Sequence, residues 1–285
     1  MTKGGLSLDH VGFMVRDLDA GAERWRDLGF QLAARSPQMG ATPGGAVMAP
    51  WATANHCAMF ERGYLELIGI TDPTKHNPWT AFLDRFEGIH IIAFRCPEAE
   101  TAYVALAQRI DGFDPPLQRR RDAPYGDGVR EFRFRNIFSQ DALFPEGRFI
   151  VIEHQTPEVI WQPALMTHPN GAVSFEEVVF CAEPGSPTQG RLEAIIGAEA
   201  DGGHIALPGG GVATVLSPAD YAARFDGAAA PDLPCAAAVV IGVDDMAKPA
   251  DCLESSGIRS KRSSDGTLFV SADDANGGIV AFRPV

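Results

Sequence analysis

The sequence predicts an α+β fold of four tandem βαβββ modules, paired into two domains. Three observations carry this expectation. An apolar run that reads as a strand is followed by a helix with capping signals and then by three more strand-like runs. The same order restarts near residue 88 and twice more after residue 172. The length, 285 residues, leaves room for two domains at about 150 residues each.

In the first module, residues 8–15 (LDHVGFMV) are the opening strand. Asp17 or Asp19 caps the next helix, because a short acid accepts the free amides of a first turn. Ala22, Trp25 and Leu28 share one face of that helix, and Gly29 stops it. Strand-like runs follow at 30–33, 54–60 and 64–70. In the second module, residues 88–95 are the strand, and Pro97 and Glu98 open the helix. Its strands lie near 116–119, 129–136 and 148–153. Nineteen residues separate His10 from Gly29, and 22 separate His90 from Gly112, so the register recurs.

Modules 6–84 and 86–158 make a first domain, 1–158. A Pro-rich, polar stretch, 159–172, ends in THPNGA and reads as the linker. The second domain, 173–285, has strands at 175–182, 204–207 and 212–216 with a helix at 188–196. It then has strands at 236–243, 267–271 and 278–282 with a helix at 248–255.

Composition narrows the function. Hydrophobic residues are 45% and charged residues 21%, as in ordinary globular proteins. The net charge of -13 argues against nucleic acid and against an anionic membrane surface, since both need a basic face. Five cysteines, an odd number with no CxxC spacing, read as reduced thiols of a cytoplasmic protein. No signal peptide and no apolar stretch of about 18 residues is expected. The partner is a small molecule, and the chain is a monomer or homodimer.

Overlaying the first two modules places His10 and His90 at matching points of the opening strands. Glu66 and Glu153 match in the closing strands. Both carboxylates interrupt apolar runs, where an unpaired charge is costly. A divalent ion held by His10, Glu66, His90 and Glu153 removes that cost. This N/O set suits Fe, Mn, Ni, Co or Zn.

The βαβββ repeat, together with LDHVGFMVRDLDAGAERWRDLGF, GYLELIG, GIHIIAFR and Glu153, resembles the vicinal oxygen chelate superfamily. ANHCAMFERGYLELIGI and THPNGA are similar to its glyoxalase-like domain proteins. The resemblance spans the chain and is strongest over 8–172. It implies two vicinal-oxygen-chelate-type domains with curved mixed sheets, each sheet cupping one site. It also implies a metal-dependent lyase or isomerase/epimerase acting on a substrate chelated through adjacent oxygens. Glu153 or Glu66 is then the catalytic base. Alternatives are an extradiol-type ring-cleaving dioxygenase, using three of these ligands, and a non-catalytic small-molecule binding protein. In the second domain the matching positions are Glu177, Thr214, Ala238 and Ala281, so that copy is expected to be degenerate.

Three more residues are expected to bind substrate. His56 can donate from the third strand, Tyr64 shares the face of Glu66, and Arg133 can hold an anionic group. His154 falls on the opposite face from Glu153 by alternation and reads as structural, as does His168. The glycine run 209–211 reads as a turn.

Overall fold

Short acids, helix-stopping glycines and alternating strands build the repeat as the order implies. The computed structural model describes residues 5–43 and 45–285, with the backbone only at 45–47. The first module comprises β1 (Ser7–Val15), α1 (Leu18–Asp27), β2 (Ser36–Thr42), β3 (Gly45–Met59) and β4 (Tyr64–Ile70). A short helix, α2 (Thr80–Leu83), leads to β5 (Gly88–Arg95), α3 (Ala99–Ala107), β6 (Leu117–Tyr125), β7 (Gly128–Phe138) and β8 (Arg148–His154). The third module has β9 (Ala172–Cys181), α4 (Thr188–Ile196), β10 (His204–Ala206), β11 (Val212–Leu216) and α5 (Pro218–Arg224). The fourth has β12 (Cys235–Val243), α6 (Ala247–Ser255), β13 (Ser260–Arg262), β14 (Leu268–Val270) and β15 (Ile279–Pro284).

Asp17 is the N-cap of α1, and its side chain accepts from the amides of Asp19 and Ala20. Two expectations need correcting. Residues 30–33 are not a strand; β2 starts at Ser36 and pairs with the long β3. The third module has two strands after its helix, and α5 follows them.

The first sheet has the order β2-β3-β4-β1-β5-β8-β7-β6, and the second β10-β11-β9-β12-β15-β14-β13. In each, two opening strands lie antiparallel at the centre. Each opening strand has its module's closing strand as a parallel neighbour. The first sheet curls until its outermost strands meet: Arg121 Nη1 on β6 donates to Ser36 Oγ on β2 at 3.2 Å.

One face of each sheet joins a shared core. Phe13, Leu67, Phe94 and Phe149 meet Trp25 of α1 and Phe180 and Phe282 of the second sheet there. The Phe149 and Phe180 ring centroids are 6.2 Å apart, and those of Phe30 and Phe282 are 6.1 Å apart. The opposite, concave face of the first sheet carries Met14, Ile68, Ile91, Ala93, Ile150 and Ile152, partly covered by Trp79, Phe82 and Leu83. The concave face of the second is filled by Tyr221 and Phe225. No helix among the described residues is long and apolar enough to cross a membrane.

Candidate functional site

The β1–β5 pairing shifts register between Leu8 and His10, so Asp9 is an extra residue on β1. The bulge turns Asp9 away from simple alternation and leaves it 0% exposed. A buried carboxylate needs partners, and Asp9 has three. His10 Nδ1 donates to it at 2.6 Å, His154 Nε2 at 2.9 Å and Arg95 Nε at 2.8 Å. Burial pushes the Asp9 carboxyl up. The charge of His154 and the hydrogen bonds from His10 and His154 outweigh this, holding it well below the usual carboxylate range.

A carboxylate only accepts, so His10 carries its proton on Nδ1. Its Nε2 has no hydrogen-bond partner among the described residues and lies 3.9 Å from Glu66 Oε2, too far for a hydrogen bond. Asn55 Nδ2 donates to Glu66 Oε1 and fixes that carboxylate. Tyr64 adjoins His10 in the parallel β1–β4 register and stacks on its ring, centroids 4.3 Å apart. The tight turn before Tyr64 needs Gly63: its φ is +79°, and a Cβ there would sit 2.7 Å from the Asp9 carbonyl oxygen. Burial, then Asp9 and Glu66, push the Tyr64 phenol well up, so it stays neutral. Burial and Glu66 likewise push the Cys57 thiol up, which makes it a poor nucleophile.

The segment after β8 covers this group. Trp161 lies 4.9 Å from His154 and 5.8 Å from Tyr64 between ring centroids, and the Arg95 guanidinium is 4.2 Å above its ring. Its Nε1 donates to the Phe60 carbonyl at 3.0 Å. His168 is buried, accepting from the Gln31 amide and donating to the Met59 carbonyl.

Of the predicted residues, His10, Tyr64 and Glu66 come together, and the others do not. Glu153 shares the parity of Phe149 and Val151, which face the shared core, whereas Ile150 and Ile152 face the concave side. It accepts from the Ala99 amide at the start of α3 at 2.9 Å, a favourable place for an acid. His154, not Glu153, lines the cup. His90 is the extra residue at a second register shift, on β5. Its ring lies 4.1 Å from Phe86 and 5.4 Å from Phe82, and its Nε2 donates to the Phe86 carbonyl at 2.9 Å. Burial lowers its pKa to about 4. His56 lies on the face of Ala54 and Ala58, toward the core, and its Nδ1 donates to the Ala33 carbonyl at 2.8 Å. Arg133 pairs with Arg120 on the outward side of β6–β7, 3.8 Å from Glu131.

The predicted metal quartet is corrected accordingly. Among the described residues, no three His, Cys, Asp or Glu side chains are arranged to hold a metal ion. The donors of His90 and Glu153 are engaged elsewhere, so the four do not fit one ion. Sequence reasoning missed Asp9, Arg95 and Trp161. The cost argument applied to Glu66 also flags Asp9, an acid inside an apolar strand, but alternation assigns it to the wrong face.

In the second sheet, Glu177 takes the place of His10 and Thr214 that of Glu66. Thr214 Oγ1 donates to Glu177 Oε1 at 2.7 Å. Arg224 of α5 grips the same carboxylate with Nη1 at 2.7 Å and Nη2 at 3.0 Å. The second cup is therefore closed by its own side chain.

Residues 8–196 match a family model described as a glyoxalase-like domain. A hypothetical protein from Staphylococcus aureus has a similar structure, with TM-score 0.61 and 14% identity over 98% of this chain and 100% of that one. A mutant 4-hydroxymandelate synthase from Streptomyces coelicolor has TM-score 0.57 and 13% identity over 98% and 92%. A xylose isomerase-like TIM barrel/4-hydroxyphenylpyruvate dioxygenase fusion protein has TM-score 0.55 and 11% identity over 98% and 49%. At these identities the likeness is one of fold. No curated protein matches the chain.

Proposed function

Because the chain belongs to the glyoxalase-like domain family, we propose that it is an enzyme moving a proton on a small oxygenated substrate at the concave face of the first sheet. The observation that carries this reading is the Asp9–His10–Glu66 line. Asp9 orients the imidazole at 2.6 Å, and the free Nε2 faces Glu66 across 3.9 Å. His10 Nε2 takes the proton from the carbon beside a substrate carbonyl, and the C–H electron pair moves into that carbonyl to give an enol or enolate. Asp9 stabilises the imidazolium, as a buried carboxylate does for a catalytic histidine. Where the first carbon bears a hydroxyl, Glu66 carries the hydroxyl proton to the former carbonyl oxygen and His10 returns its proton to the former carbonyl carbon, which is an isomerisation that leaves both groups as they began. Return to the same carbon after the enolate has presented its other face is an epimerisation, and loss of a β-substituent, which leaves with the electron pair and takes the proton from His10, is a lyase reaction. The His10 and Glu66 side chains are 5% and 14% exposed, which keeps bulk water from quenching the carbanion.

A second reading keeps a divalent ion. The Asp9–His10 bond is the outer carboxylate arrangement that orients metal-bound histidines. His10 and Glu66 would then hold the ion, which would polarise a substrate oxygen. Metal analysis of the wild type and of His10→Ala separates the two readings. A stoichiometric metal lost in the variant supports the second.

The proton-transfer reading is tested by incubating the protein in D2O with a panel of α-hydroxycarbonyl compounds and β-oxoacids. Deuterium uptake at carbon in the wild type, absent in His10→Asn, supports it. Equal uptake in both, or none with any compound, overturns it.

A further inference from the structure

The β6–β7 hairpin holds six arginines in a chain of net charge -13. On its outward face each guanidinium has a carboxylate. Arg120 lies 3.6 Å from Glu131, Arg133 3.8 Å from Glu131, and Arg135 3.1 Å from Glu100. Arg130 at the hairpin end lies 3.2 Å from Glu158. Arg119 and Arg121 differ. They stand opposite Phe134 and Phe132 in the β6–β7 register, so they share the concave side with those rings. Both are half-buried, and neither has a carboxylate partner among the described residues. The only side-chain partners found for Arg121 are Ser36 Oγ at 3.2 Å and the Phe132 face, 5.5 Å from the ring centroid. A guanidinium has five N–H donors in a planar fork, so most of those of Arg121 are free. The bond to Ser36 also sets its position. Arg121 spans from the last strand of the sheet to the first, over the cup holding Tyr64 and Glu66.

We propose that Arg119 and Arg121 form an anion-binding site on the rim of the first cup, taking the carboxylate or phosphate group of a small molecule whose body lies against the half-buried Phe134, with Phe132 buried beside it. The site deepens the proposed function, since the same cup would hold the reacting carbon near His10. An unpaired fork facing an aromatic-lined concavity suits a planar, two-oxygen anionic group. The acids Asp9 and Glu66 do not compete for it, being held by His10 and Asn55. The anticipated role of Arg133 thus passes to its neighbours across the hairpin, one residue out of phase.

The test is calorimetric titration with inorganic phosphate and, separately, with benzoate, on the wild type, Arg119→Gln, Arg121→Gln, Arg121→Lys and the outward Arg133→Gln. Folding of each is checked by its thermal unfolding. Saturable binding of either anion, weakened at least about tenfold in Arg121→Gln and Arg119→Gln and unchanged in Arg133→Gln, supports the site. Arg121→Lys, which keeps charge but not the fork, should bind more weakly than the wild type. Which anion binds tells phosphate from carboxylate. No saturable binding to the wild type, or equal binding in Arg121→Gln and Arg133→Gln, overturns it. Anion binding that persists in His10→Asn, without deuterium uptake in the wild type, rejects proton transfer and keeps the site. Uptake without Arg121-dependent binding does the reverse.

Discussion

Arg224 holds Glu177 through both terminal guanidinium nitrogens, at 2.7 and 3.0 Å, where the first sheet has His10 facing Glu66. The same cup is thus plugged in one half of the chain and left uncommitted in the other. Two copies of one architecture diverge because α5 supplies an internal occupant to the second.

The plug is expected to be structural. The Arg224 and Glu177 side chains are 14% and 5% exposed, so removing one partner strands a buried charge. Arg224→Ala should cost about 3–5 kcal/mol in urea unfolding. A cost under about 1 kcal/mol would mean that Glu177 finds water or another donor.

His90 should make stability pH-dependent. Its folded pKa is lowered to about 4 by burial, while the unfolded value is about 6.5. Between these values the unfolded chain binds a proton that the folded one refuses. Stability therefore falls as pH drops through this window, by about 3 kcal/mol from this residue in total. His90→Leu should lose that slope in denaturation curves taken from pH 7 to 4. An unchanged slope would place His90 in contact with water.

Asp9 acts in the same direction at lower pH. Its folded pKa lies well below the usual range, so its contribution is complete above the unfolded value, about 3.9. It is lost as pH falls through the folded value. Asp9→Asn should be less stable than the wild type at pH 7, with the gap narrowing in acid. A gap that widens toward acid would contradict the charge assignment.

Glu153 is expected to matter for folding and not for chemistry. Glu153→Gln removes a charge from the start of α3 and should cost about 0.3–1 kcal/mol in unfolding while leaving substrate turnover unchanged. Loss of turnover in a folded variant would return Glu153 to the site.

The repeated strand–helix–strand order and a helix cap at Asp17 or Asp19 were legible because periodicity and capping are local signals. The face was not. In β8 both parities are apolar, Phe149 and Val151 on one side and Ile150 and Ile152 on the other. Alternation separates Glu153 from His154 but does not say which side is concave. The same ambiguity exchanged Arg133 for Arg119 and Arg121, and sent His56 to the cup although it faces the core. Bulges at Asp9, beside His10, and at His90, which packs on Phe82 and Phe86, break the period-two rule, and nothing in the residue pattern marks either bulge. Residues 30–33 looked like a strand from composition, but the partner of β3 starts only at Ser36.

The proposed chemistry stands on His10 and Glu66 acting together on the substrate's protons. The most direct measurement is the deuterium-uptake rate on one accepted substrate for His10→Asn, Glu66→Gln and Glu153→Gln side by side. The expected result is a loss of about 10²–10⁴-fold in the first two, the usual contribution of a positioned acid or base, with the third at the wild-type rate. Equal losses in Glu66→Gln and Glu153→Gln, or none in His10→Asn, would contradict it.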